Sequence, residues 1–170
     1  MAITLSQASL PVCIKMLGNL SHLLAKALHF VEVKKCDATA LTQYRLAPDM
    51  FPLTKQVFVA CDMAKNGIAR ISELEAPKFD DTETTLEQLR ERIQKTLDFL
   101  NSVPASSIDG KEETDITFPV GPNTRTMKAQ AYAMHWILPN MYFHITTVYN
   151  ILRHNGVELG KRDFLVGEST

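Results

Sequence analysis

The chain has few cysteines, almost no net charge and no long apolar run, and each absence excludes a class of protein. Its three cysteines (Cys13, Cys36 and Cys61) are an odd number without a Cys-x-x-Cys spacing. They predict reduced thiols rather than a disulfide or zinc framework, and Cys13 and Cys61 fall on apolar helix stripes. The 18 basic and 19 acidic residues leave a net charge of -1. We therefore expect neither nucleic acid nor an anionic membrane as a partner.

The beginning of the chain also lacks the pattern of an export signal. Lys15, Asn19 and His22 interrupt its apolar residues, and no basic cluster precedes them. No run approaches the roughly 20 apolar residues that cross a bilayer. These features predict a soluble, cytoplasmic protein. With 170 residues, of which 45% are hydrophobic and 22% charged, the chain is long enough to form one domain over residues 1–170.

Four segments repeat apolar residues at steps of three and four, which is typical of amphipathic helices. They span roughly residues 5–34, 52–74, 84–103 and 138–155. Thr84 and Glu87 have the spacing of a capping box at the start of the third helix. Gly156 is a suitable stop for the fourth. Before that helix, residues 129–137 predict a turn or a short helix that ends at a break at Pro139.

A stretch without helical period separates the third and fourth helices. Residues 115–120 and 124–128 alternate as two short strands around the turn residues Gly121, Pro122 and Asn123. A connection of this length in a small domain usually has a function of its own. The pattern predicts an all-α bundle of four helices with a small β-hairpin inserted before the last helix.

The last part of the chain predicts a tail that folds back onto the bundle. Phe164 and Leu165 are placed to dock there, and Asp163 to hold the tail by hydrogen bonds. His22 and His29 lie seven residues apart on the lysine-bearing side of the first helix. We expect them to be a pair of surface histidines.

Four short motifs carry a resemblance to a known family: Asp49–Leu53, Pro139–His144, Leu152–Val157 and Gly160–Leu165. They resemble an uncharacterised domain-of-unknown-function family of about this size, placed within the DinB/YfiT-like superfamily. The resemblance covers essentially the whole chain. It implies a DinB-like four-helix bundle with an up-down-down-up arrangement and, commonly, a homodimer. A loop such as Phe118 to Met127, which bears Met and aromatic residues, would contribute to the dimer contact.

The resemblance also implies a metal site. In better-studied DinB-like relatives, one histidine from the second helix and a His-x-x-x-His pair from the fourth often bind a divalent metal in an open pocket. Some of these relatives are thiol-dependent transferases or isomerases. Here Asn140 and His144 occupy the positions of the pair, and Gln56 is the nearest polar residue of the second helix. The implied site is therefore a degenerate one, with His144 and Asn140 as ligands of a divalent metal such as nickel or zinc.

The residues of the fourth helix alone leave two interpretations open. Asn140, His144 and Thr147 lie along one side of the helix. Together with Gln56 they would line a pocket for a small molecule, with His144 as a metal ligand or general base. Alternatively, His144 is a core histidine bonded to a neighbouring hydroxyl or carbonyl, and Asn140 caps the start of the helix.

Two functions follow from these interpretations. The first is a protein with a small-molecule pocket, acting as an enzyme with a metal or a thiol cofactor, in which Asn140, Gln56 and Thr147 orient the ligand around His144. The alternative is a non-catalytic homodimeric binding or stress-related protein, in which the polar line of the fourth helix is structural. The sequence does not decide between them.

Overall fold

Helices account for most of the structure, a computed structural model that describes residues 2–167. The elements in chain order are helices α1 (Leu5–Lys34), α2 (Thr39–Thr42), α3 (Leu53–Ser72) and α4 (Leu86–Ser102), strands β1 (Asp115–Val120) and β2 (Asn123–Lys128), and helices α5 (Ala129–Tyr132), α6 (Leu138–His154) and α7 (Lys161–Leu165). The predicted long helices and the hairpin are confirmed, with boundaries that differ by at most two residues. No helix within residues 2–167 combines the length and the apolarity needed to cross a membrane.

The long helices surround a common core. Helix α3 packs against α4 and α6, and α1 packs against the same two helices. The apolar stripes supply the fully buried side chains, which include Leu17, Leu20, Leu24, Val57, Ile68, Leu89, Ile93, Ile145 and Val148. Cys13 and Cys61 belong to this core as predicted, and burial raises the pKa of each thiol to about 12. Both thiols therefore remain protonated and chemically inert at neutral pH.

The capping box of α4 lies one residue later than the sequence predicts. Thr85, rather than Thr84, accepts a hydrogen bond from the backbone N–H of Gln88, and the Gln88 side chain reaches back to the backbone N–H of Thr85. The prediction that used Thr84 and Glu87 was wrong because both pairs have the same spacing. With Thr85 as the N-cap, Leu86 is the first residue of α4, and its side chain is fully buried.

The break predicted at Pro139 does not occur. A π-helical turn, Ala133–Ile137, joins α5 to α6 without interruption. Pro139 has no N–H to donate into the turn before it, and the wider π turn accommodates this loss. Asn140 therefore lies inside a helix and does not cap one: its side chain donates to the carbonyl of Trp136 at 2.7 Å. Gly67 of α3 approaches this turn so closely that a Cβ would overlap Ile137.

The hairpin covers one side of the π turn. Strands β1 and β2 pair antiparallel from Asp115 opposite Lys128 to Val120 opposite Asn123. The Phe118 side chain points inward, with its ring 4.4 Å from that of Tyr132, and is 2% exposed. Phe118 is therefore buried in its own chain, while the dimer contact expected of the loop from Phe118 to Met127 stays a prediction.

The tail packs against α1 as predicted. Both His22 and Lys26 contact Oδ1 of Asp163 at 3.0 Å, and Oδ2 accepts the N–H of Gly160 at 2.7 Å. Burial acts to raise the pKa of Asp163, but these three partners lower it to about 2. His22 is therefore an anchor of the tail, which corrects its assignment as a surface residue, whereas His29 is exposed.

Only one of the two predicted docking residues reaches the bundle. The Phe164 ring packs edge-on against Tyr149, with 6.1 Å between ring centroids, and its carbonyl accepts from the Asn19 side chain at 2.7 Å. Leu165 is 47% exposed. The tail is therefore fastened by Asp163 and Phe164 rather than by an apolar pair.

A buried arginine, which the sequence analysis did not single out, fastens the connection between α3 and α4. The Arg92 side chain is 1% exposed, and its guanidinium contacts Asp62 at 3.1 Å, Asp81 at 2.8 Å and Glu83 at 3.2 Å. Its guanidinium carbon lies 4.3 Å and 4.5 Å from the ring centroids of Phe58 and Phe79, respectively. The sequence offered no sign of this cluster because its members lie on α3, on α4 and on the loop between them.

Candidate functional site

The packing of α3 against α6 brings Gln56 and His144 together. The Nδ1 atom of His144 lies 2.6 Å from Oε1 of Gln56, and the two residues are 8% and 1% exposed, respectively. The Gln56 amide group donates in turn to the carbonyl of Phe51 at 3.0 Å. Since that bond requires the NH₂ of Gln56 to point at Phe51, its oxygen faces His144 and accepts. His144 must therefore carry its proton on Nδ1.

The protonation state of His144 follows from its surroundings. Burial lowers the pKa of His144, so the ring is neutral at pH 7. With the proton on Nδ1, the lone pair lies on Nε2. This Nε2 has no hydrogen-bond partner among the residues that the structure describes, yet it is not one of their enclosed, unpartnered atoms. It is thus an acceptor that remains open to solvent.

An open cavity adjoins this ring. It has a volume of about 220 Å³ and is lined by Asp49, Met50, Phe51, Gln56, Phe143 and His144. The rings of Phe51 and Phe143 are 50% and 56% exposed, although large apolar side chains are usually buried. The Phe143 ring meets that of His144 edge-on at 5.2 Å. Drug-sized ligands occupy about 300–1,000 Å³, so this cavity suits a smaller molecule.

The other two predicted site residues are bonded within their own helix. Asn140 donates to Trp136 as described above, and Thr147 donates to the carbonyl of Phe143 at 2.8 Å. Neither lies among the residues that line the cavity. Of the four residues predicted to form the pocket, Gln56 and His144 come together there, while Asn140 and Thr147 do not.

The donors near His144 do not fit a divalent metal. Zinc in proteins takes three or four nitrogen, sulfur or carboxylate ligands. No group of three or more His, Cys, Asp or Glu side chains converges anywhere in the described part of the chain. Nδ1 of His144 is bonded to Gln56, and Asn140 uses its amide on the helix. A nickel or zinc ion at His144 and Asn140 therefore stays a prediction from resemblance alone.

The walls of the cavity were not identified from the sequence. Asp49, Met50, Phe51 and Phe143 were noted only as parts of the family motifs Asp49–Leu53 and Pro139–His144. A usable signal was nevertheless present. Phe143 is a large aromatic residue off the apolar stripe of α6, and Phe51 stands just outside α3, so neither has a place in the core.

Comparison with known proteins supplies a family. Residues 5–165 match the family described as Domain of unknown function (DUF1993). The chain is also similar to a crystal structure of a DinB family member protein from Shewanella denitrificans, with 41% sequence identity and a TM-score of 0.87 over 95% of this chain and 92% of that one. Curated proteins give no match. The chain therefore belongs to the DUF1993 domain family, and its predicted resemblance to DinB-like proteins is confirmed.

Proposed function

We propose that this protein binds a small molecule in the cavity between α3 and α6, with Nε2 of His144 as the polar contact. The observation that carries the proposal is the hydrogen bond from His144 to Gln56. It fixes the ring and its tautomer and leaves one lone pair free beside exposed aromatic rings. We assign the cavity to a single DinB-like four-helix-bundle domain over residues 1–170, with α1, α3, α4 and α6 as its four helices.

In this role His144 is an acceptor held in place in advance. A ligand that offers an N–H or O–H group finds the acceptor already oriented, so little freedom is lost on binding. A ligand with a sufficiently acidic proton would transfer it to Nε2, which is the first step of general base catalysis. Gln56 would then stabilise the imidazolium, because its oxygen already accepts the Nδ1 proton.

Modification of the histidines by diethyl pyrocarbonate tests this proposal, because the free lone pair of a neutral imidazole attacks a carbonyl carbon of the reagent. Peptide mass spectrometry then gives the rate of modification at each histidine of the folded protein. We expect His144 to react, more slowly than the exposed His135 but far faster than a ring with no access to solvent. His144 that reacts only after unfolding would mean that Nε2 is enclosed, and the proposal would be wrong.

Metal content is measured in parallel by elemental mass spectrometry on untagged protein purified without chelator, beside His144→Asn. We expect no stoichiometric metal in either protein, because the donors around His144 do not match a divalent ion. Near-stoichiometric nickel or zinc in the wild type that is lost in the variant would contradict the metal-free pocket and support the metal site that the resemblance implies.

The exposed rings also favour the alternative, a homodimeric binding or stress-related protein. Phe51, Tyr142 and Phe143 are 50%, 40% and 56% exposed, and exposed apolar patches often mark protein contacts. In that case Phe143→Ser would convert a dimer into a monomer in sedimentation velocity. A chain that sediments as a monomer before and after the substitution contradicts the alternative.

A further inference from the structure

The cavity presents a particular set of unpaired groups, and these define the chemistry of its ligand. We infer that it takes a small organic cation that carries N–H donors next to an apolar body, such as a protonated arylalkylamine. The inference rests on the proposed function and adds the class of ligand to it. Three independent features carry it: the charge of the lining, the free acceptor and the exposed rings.

The charge of the lining is negative. Asp49 is the charged residue among those described that line the cavity, and its carboxylate makes no hydrogen bond or ion pair within residues 2–167. The cations on either side of it in the chain do not pair with it. Arg45 donates to the carbonyl of Met50, and Lys55 pairs with Asp81 at 2.9 Å. The unpaired carboxylate of Asp49 therefore favours a cationic ligand over an anionic one.

The free polar group of the cavity is an acceptor. The geometry of Gln56 and Phe51 places the proton of His144 on Nδ1, so Nε2 offers only a lone pair. A carboxylate has no proton for this atom at neutral pH. An ammonium group has three N–H donors. It can therefore bond to Nε2 of His144 while its charge is balanced by Asp49.

The apolar walls suit the rest of such a ligand. Phe51 and Phe143 line the cavity, and about half of each residue is exposed. The faces of aromatic rings attract organic cations. Met50 adds a flexible thioether that adapts to apolar shapes. The volume of about 220 Å³ limits the ligand to roughly the size of one aromatic ring with a short arm.

Three probes of similar shape test the inference: benzylamine, benzyl alcohol and benzoate, which differ in charge. Each is titrated into the isotopically labelled protein at constant pH, and the ring resonances of His144 are followed by NMR, with the exposed His135 as an internal reference. We expect saturable shifts of His144 with benzylamine, binding of benzyl alcohol about tenfold weaker, and no binding of benzoate.

Two variants separate the charge of Asp49 from general effects. Asp49→Asn should weaken benzylamine about fivefold to tenfold and leave benzyl alcohol unchanged. Glu91→Gln removes the same charge from an exposed position on α4, away from the cavity, and should change neither. Equal weakening of benzylamine in both variants would overturn the assignment of Asp49 as the counter-charge.

The remaining outcomes distinguish this inference from the proposed function. If benzyl alcohol or benzoate shifts His144 at least as strongly as benzylamine, the pocket is real but its preference for cations is wrong. If none of the three probes shifts His144, the inference of an arylalkylamine ligand is overturned. The acylation rate of His144 then decides independently whether the pocket function stands.

Discussion

Helix α3 carries two buried polar contacts to neighbouring elements, and they are built in opposite ways. At Arg92, three carboxylates and two aromatic rings from the same chain surround the guanidinium. At His144, one amide oxygen engages one ring nitrogen, and the second nitrogen and two nearby aromatic rings stay exposed. A buried polar group whose hydrogen-bond and ion-pair partners come mostly from the same chain maintains the fold. A buried polar group with an unpartnered atom beside an open cavity can bind a ligand there.

We expect the largest loss of folding stability from a substitution at Arg92. Arg92→Met should lower the free energy of unfolding by about 3 kcal/mol, because it removes the cation that three carboxylates share, although Asp81 and Asp62 keep contacts with Lys55 and Lys65. Breaking a buried ion pair costs about 3–5 kcal/mol. The loss here lies at the lower end of that range because the three carboxylates are partly exposed. Urea unfolding measures the change. Arg90→Met, at an exposed position on the same helix, is the control and should cost less than about 0.5 kcal/mol. Equal costs would mean that the cluster does not stabilise the fold.

A smaller loss is expected at the other contact. Gln56→Leu should cost about 2 kcal/mol, because the Nδ1 proton of His144 and the carbonyl of Phe51 both lose their partner. Without Gln56 the His144 ring should no longer be restricted to one tautomer. The ¹⁵N NMR spectrum of the ring should then show a mixture of the Nδ1-H and Nε2-H forms. Gln94→Leu, on the exposed face of α4, should cost less than about 0.5 kcal/mol. A single Nδ1-H tautomer that persists in Gln56→Leu would contradict the role given to Gln56.

Asp163 is an intermediate case, well partnered but near the surface, and its effect should be the smallest and dependent on pH. Its folded-state pKa is about 2 and its ordinary value 3.8. A lowered pKa stabilises the folded state above the ordinary value, and this stabilisation is lost as pH falls towards the folded value. At pH 6, Asp163→Asn should cost about 1 kcal/mol, a figure reduced for solvent screening at this partly exposed site.

The difference in stability between the wild type and Asp163→Asn should shrink as the pH falls from about 4 to about 2. Unfolding curves collected across this range measure it. The control is Asp115→Asn in the hairpin, whose carboxylate pairs with a single exposed lysine and should give a difference near zero throughout. A difference at Asp163 that is independent of pH would show that the carboxylate charge does not hold the tail.

The features that the sequence predicted are those with a local cause. Periodicity over a few turns located the long helices, and alternation located the hairpin. The start of α4 was misplaced because two pairs of residues have capping-box spacing, and only the burial of Leu86 separates them. The uninterrupted helix at Pro139 was missed because a π turn leaves no sequence pattern of its own.

The candidate site was less predictable because it depends on contacts between distant segments. Gln56 and His144 are separated by 88 positions, and neither residue indicates which way the other faces. The resemblance nominated Gln56 as the polar residue nearest the position of the second-helix histidine, and it nominated His144 together with the polar side of the fourth helix. The sequence did not provide the tautomer, which depends on the carbonyl of Phe51, or the cavity walls, which come from the loop before α3. Arg92 was missed for the same reason.

The π turn at Ala133–Ile137 has a geometrical effect that reaches beyond Pro139. One extra residue in a turn rotates everything after it by about 100° relative to everything before it. Upstream of the turn, Tyr132 faces the hairpin, and downstream His144 faces α3. The turn thus sets the rotation of α6 relative to the short helix α5 that precedes it. A relative that gains or loses a residue there would keep its bundle core but aim a different side chain at the cavity.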